Sequence, residues 1–293
     1  MMSIGSLRRY AALAPGAMVA AMLAMVTTGA TAARSPATAS PNPSATANSL
    51  SSVSAVSGSD AWAAGYYTNN TTHAIDTLIL HWDGTTWTQV PSPSPSSTEN
   101  ILLGVSADSG GDAWAVGYYQ RHFTGAPANP LILHWNGTTW TRLAGPHPSS
   151  TQNHLLGVSA VSGGDAWAVG WYNKTFSIED PLIVHWNGTA WTRVPSSHPN
   201  SALINLSGVS EVSGSDVWAV GDYFTNRTNP LIMHWNGTTW TRSPSPHPSS
   251  TQNVLSGVSA VSGSDAWAVG DYNNNGAIDV LILHWNGTTW SMK

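Results

Sequence analysis

Residues 255–272 read LSGVSAVSGSDAWAVGDY, and residues 281–290 read LILHWNGTTW. The first stretch holds two β-rich segments, Leu255 to Val261 and Ala266 to Tyr272, split by the turn formers Ser262, Gly263, Ser264 and Asp265. The second stretch holds a third segment ending at Trp285 and a fourth starting at Trp290, joined by Asn286-Gly287. Asn-Gly between apolar segments is a strong hairpin signal and predicts a type I′ turn, in which both central residues take positive φ. No segment carries a helical period. The unit therefore predicts four antiparallel strands, A to D.

The same unit recurs upstream. Its strand-B tryptophan falls at Trp62, Trp114, Trp167, Trp218 and Trp267, its strand-C tryptophan at Trp82, Trp135, Trp186, Trp235 and Trp285, and its strand-D tryptophan at Trp87, Trp140, Trp191, Trp240 and Trp290. These positions absorb all but one of the 16 tryptophans. A period of about 50 residues over most of a chain means a solenoid, propeller or array. Four short antiparallel strands per unit select an all-β, five-bladed β-propeller. The expected boundaries are residues 49–97, 98–149, 150–202, 203–250 and 251–293 for the blades within a propeller at 49–293.

Period and strand count resemble kelch-type and Asp-box-type propeller blades of secreted bacterial repeat proteins. A kelch glycine doublet occurs only at Gly110-Gly111 and Gly163-Gly164, inside a turn, and the aspartate position of the Asp-box pattern holds Trp135. No functional residue of either family carries over. The five units are also similar to five-bladed lectins of the tachylectin type, and that resemblance implies sugar binding.

Composition narrows the chemistry. The chain of 293 residues has no cysteine, which excludes disulfides, thiolate metal sites and a cysteine nucleophile. Only 9% of residues are charged, against about 25% in an ordinary domain. Residues 1–33 read as a signal peptide: Arg8 and Arg9, an apolar run over 11–26 broken by Pro15, then small residues at Gly29-Ala30-Thr31-Ala32-Ala33. The arginine pair leaves the general and twin-arginine export routes both open. A secreted, extracellular protein is expected, with no membrane span in the mature form. Residues 34–48 form a Ser/Pro/Thr-rich leader. Its Pro41-to-Asn48 stretch copies the inter-blade loop from Pro246 to Asn253, which predicts that it lies against blade five and helps close the ring, while its composition equally suits a disordered leader. The basic residues left after residue 33 stand singly, so a nucleic-acid partner is excluded. A monomer without cofactor is expected.

Each unit has one aspartate in the A–B turn (Asp60, Asp112, Asp165, Asp216, Asp265) and one strand-C histidine (His81, His134, His185, His234, His284). The aspartates read as turn residues accepting backbone N–H groups. The histidines read as half-buried and hydrogen-bonded, since equivalent positions on neighbouring blades are too far apart to share a metal. No metal site and no catalytic residue is expected.

Function should show where the copies differ. After the strand-B glycine the units hold Tyr66, Tyr118, Trp171, Asp222 and Asp271, each followed by tyrosine. Before strand C each unit has an Asx: Asp76, Asn129, Asp180, Asn229 and Asp279. Aromatic faces beside Asp and Asn oxygens suit a sugar, whose ring stacks while its hydroxyls donate. An Asx-turn opening strand C competes for the second set. The expected function is non-catalytic binding or scaffolding, of a glycan or cell-surface polymer, on the B–C/D–A loop face. Two rival classes stay open. A glycoside hydrolase or lyase would draw on Glu99, Glu179 or Glu211, of which only Glu179 sits on the variable face with a carboxylate neighbour, Asp180. A protein–protein platform would use the tyrosine-rich rim.

Overall fold

The computed structural model describes residues 40–121, 126–201 and 203–293. The expected signal peptide and residues 34–39 of the leader lie outside the described residues.

All regular structure among the described residues is β, in five four-stranded units. The first comprises β1 (Asn48–Ser57), β2 (Asp60–Thr68), β3 (Ile75–Trp82) and β4 (Trp87–Gln89). The second comprises β5 (Glu99–Ser109), β6 (Asp112–Gln120), β7 (Ala128–Trp135) and β8 (Trp140–Leu143). The third holds β9 (Asn153–Ser162), β10 (Asp165–Thr175), β11 (Ile178–Trp186) and β12 (Trp191–Arg193). The fourth holds β13 (Leu203–Ser213), β14 (Asp216–Phe224), β15 (Thr228–Trp235) and β16 (Trp240–Ser243). The last holds β17 (Asn253–Ser262), β18 (Asp265–Asn274), β19 (Ala277–Trp285) and β20 (Trp290–Met292). Within each unit the strands pair antiparallel in chain order, and one parallel bridge, Ile75 with Glu99, links the first two sheets.

The core lies between units. Side chains alternate across a strand, so each of the three inner sheets buries both faces. Trp62, Ala64 and Ile79 pack on Leu102, Val105, Leu131, Leu133 and Trp140 of the next unit, and three further junctions repeat this set. At each junction a strand-B tryptophan meets the next unit's strand-D tryptophan nearly edge-on; Trp114 and Trp191 stand at 86° with centroids 5.1 Å apart. That geometry sets the positive edge of one ring against the negative face of the other. Strand-A serines add a polar register: the hydroxyls of Ser54, Ser106, Ser159 and Ser210 accept from the N–H groups of Ala107, Ala160, Glu211 and Ala260 at 3.0–3.1 Å.

Three local expectations are corrected. In the C–D turn only the glycine has positive φ (+87° at Gly137), so the turn is not type I′. Asn136 instead folds its Oδ1 back onto the N–H groups of Thr138 and Thr139, 3.0 Å each, and four residues separate the paired Trp135 and Trp140. The A–B aspartates do not cap their own turns. Each reaches across to the strand-C histidine of its unit, with Oδ1 to Nε2 distances of 2.5–2.9 Å. Their second oxygen fixes a neighbour: a Cβ on Gly110 would stand 2.6 Å from Asp60 Oδ2. Finally, the stretch from Pro41 to Asn48 lies against its own unit. Asn70 donates to Pro43 O and accepts from Ala45 N–H, and Thr68 N–H donates to Ala47 O. The equivalent loops bond both their own strand B and a strand-C carbonyl of the preceding unit, and here only the first set is made.

Candidate functional site

The end of strand B opposite the A–B turn carries the residues that differ between units. In the third unit Trp171 pairs across the ladder with His154 of β9, and their rings stack at 4.3 Å with a 10° interplanar angle. Tyr118 of the second unit also meets His154, at 4.2 Å with its ring tilted by 51°. Two candidate residues from neighbouring units are thus joined through a histidine. Burial between the rings pushes the His154 imidazole down to about 4, so it is neutral at pH 7. Its Nε2 lies 2.9 Å from Gln152 Oε1.

Tyr118 is anchored from below. Its hydroxyl donates to Glu99 Oε1 at 3.1 Å, and Gln120 donates to the other oxygen of that carboxylate. Burial, then the Glu99 charge, raises the phenol.

In the fourth unit Asp222 occupies the position of Trp171. Burial, with the charges of Glu179 and Asp271, pushes its carboxyl up to about 6. Burial also raises Glu179. Asn205 pairs with Asp222 across the ladder, and its buried Oδ1 has no partner among the described residues. The variable ends of the strands therefore carry a Tyr–His–Trp cluster followed by half-buried carboxylates.

The five Asx candidates stand elsewhere. Each pairs in register with the invariant tyrosine, as Asp180 does with Tyr172, so alternation turns it to the opposite face from the variable residue. Most are tied into their own B–C hairpin. Asp180 accepts from Tyr172 and Lys174 at 3.2 and 3.0 Å, and Asn229 accepts from Arg227 Nε at 2.8 Å. Asp76 and Asp279 accept from Asn69 and Asn274. Asn129 lines a shallow hollow with Tyr119, Arg121, Ala126 and Pro127. Three of the five invariant tyrosines, Tyr119, Tyr172 and Tyr223, carry strand-D arginines; Arg193 sits 4.7 Å over Tyr172 and donates to its hydroxyl at 2.7 Å.

His154 and Asn205 were not among the candidates, and Glu99 entered only as a carboxyl of the enzyme reading. The signal for the first two was in the sequence: the residue before the strand-A leucine is Ser49, Ile101, His154, Asn205 and Val254, a second position where the units disagree. Among the described residues no group of three His, Asp or Glu side chains is placed to hold a metal ion, and no helix is long and apolar enough to cross a membrane.

No family model and no curated relative matches this sequence. Solved structures do match. The SapL1 lectin in complex with alpha methyl fucoside is similar at TM-score 0.53 and 15% identity, over 83% of this chain and 78% of that one. A polysaccharide lyase of family PL25, ulvan lyase, bound to -[GlcA(1-4)Rha3S]-, is similar at 0.50 and 10%, over 82% of this chain and 64% of that one. The fucose-specific lectin from Aleuria aurantia stands at 0.48 and 17%, over 82% and 75%. Together with the side-by-side four-stranded sheets, the first two likenesses define a β-propeller fold.

Proposed function

We propose that this chain is a secreted, non-catalytic glycan-binding propeller that reads a sugar at the variable end of its strands. The carrying observation is the Tyr118–His154–Trp171 stack beside the Asp222 and Glu179 carboxylates. A neutral imidazole between two rings extends an apolar platform for the C–H face of a sugar, while ionised Asp222 accepts hydroxyl protons. The fucoside in the SapL1 structure supports a deoxy sugar as the first ligand to try. The export-like first 33 residues support an extracellular setting.

A glycan array probed with the full chain tests this. Binding that Trp171→Ala weakens at least tenfold supports the reading. Absence of any bound glycan, with a protein recovered as partner instead, overturns it in favour of the interaction platform. The half-buried Glu179 and Asp222 carboxyls, both raised, support an enzyme as the second reading, and release of new reducing ends from a bound polysaccharide, lost in Glu179→Gln, would establish it.

A further inference from the structure

The array has two ends that answer one another. On the last unit Trp267 is 41% exposed, whereas Trp62, Trp114, Trp167 and Trp218 are at most 1% exposed. Val269 and Ile282 are exposed beside it, although Val116, Val169, Val220, Ile132, Ile183 and Ile232 are buried in the other units. On the first unit Leu50 and Val53 are 48% and 51% exposed, against complete burial of Leu102, Leu155, Leu206 and Leu255.

Polar groups follow the same pattern. Among the described residues, the Ser259 hydroxyl accepts no neighbouring-unit N–H, and the Ala55 N–H meets no serine, although these complete the series in which Ser210 takes Ala260. The amides of Asn100, Asn153 and Asn253 each donate to a strand-C carbonyl of the preceding unit (Ile75, Ala128, Thr228), whereas Asn48 donates only within its own loop. Asp60, Asp112, Asp165 and Asp216 each abut a glycine of the next unit, but Gly58 has nothing within 4 Å of a built Cβ. The Asp265 side chain is correspondingly 47% exposed.

We propose that the last unit of one copy takes the first unit of a second copy, through the junction already used four times inside the chain. Trp267 would then meet Trp82 and Trp87, and the Ser259 hydroxyl would accept from Ala55 N–H. The occupant is a second copy for two reasons. The free faces are the two halves of the established junction, matched apolar group for apolar group and donor for acceptor. The four internal junctions are also fully packed while the ends stand apart, with no described hydrogen bond or ring contact joining the first unit to the last. Closing the ring inside one chain would move all four packed junctions together, which close-packed interiors resist. Docking a second copy moves none. The contact is head-to-tail, so it repeats from copy to copy until the series meets itself or runs on as a helical array.

Light scattering and a cysteine pair test this. The mass of the full chain should rise above one copy with concentration in the micromolar range. Trp267→Asp and Leu50→Asp, both at exposed positions, should each hold it at one copy with an unchanged circular dichroism spectrum. Mixed together they should give one-to-one dimers, because each retains one intact face. The chain has no cysteine, so Ala55→Cys and Ser259→Cys report cleanly. Oxidising the double variant should give covalent dimers and larger species. An internally crosslinked single chain would show ring closure and overturn the proposal. So would a wild-type mass of one copy at every concentration. None of these readouts involves a glycan, so the outcome is independent of the binding function.

Discussion

His154 lies flat against Trp171, 10° from parallel, and this contact joins two positions that vary from unit to unit. The stack dehydrates the imidazole and keeps it neutral. Removing one ring in Trp171→Ala should therefore raise the His154 pKa from about 4 by at least one unit, toward the ordinary 6.5. An NMR titration of the ring protons reads this directly. The stability linkage has a definite sign. His154 favours the folded state fully above pH 6.5, and that contribution is lost as the pH falls from 6.5 through 4. The variant should lose less stability over that interval than the parent chain.

Asp222 offers a pH test of binding. Its carboxyl ionises near pH 6, so a glycan that uses it as an acceptor should bind more weakly at pH 5 than at pH 7. Asp222→Asn should bind weakly at both and lose the pH dependence. Isothermal titration at the two values, with the best array ligand, checks this.

Glu211 stands where the other units have Ala55, Ala107, Ala160 and Ala260. Its carboxyl oxygens are buried with no donor among the described residues, the neighbouring group being another carboxyl, Asp165. Burial, then Asp165, holds it well above the ordinary 4.5. The folded chain thus holds a proton that the unfolded chain releases near 4.5, and stability falls as pH rises from there through the raised folded value. Glu211→Ala should be more stable at pH 8 by about 1–3 kcal/mol and should flatten the slope. Urea midpoints at pH 5 and 8 measure both.

The tryptophans rank themselves by junction. Trp167 is buried against Trp235 and Trp240, and Trp167→Ala should cost about 3–5 kcal/mol in chemical denaturation. In the same assay, dilute enough to keep chains single, Trp267→Ala should cost about 1 kcal/mol or less, because its ring is already partly in water.

Strand number, strand order and the tryptophan core were legible because the unit is written five times and its turns are marked by Gly, Asp and Asn. The pairing of Asp60 with His81 was not, since both residues had separate local explanations and only the register of β2 on β3 brings them within 2.9 Å. The Asn-Gly dipeptide signalled a hairpin but not its type, which the asparagine side chain decides by bonding Thr138 and Thr139. For the candidate site, variation after the strand-B glycine singled out Tyr118 and Trp171. The intervening His154 needed the ladder of β9 on β10 to appear.

The serine-to-amide bonds between strand-A residues span only 50–54 positions of sequence. Every junction is therefore a nearest-neighbour affair, and no bond described skips a unit. A recombination event that duplicates or deletes one unit leaves the remaining junctions as they were. Copy number is free to drift while each join is held constant, so the length of this array is an inherited variable rather than a requirement of its folding.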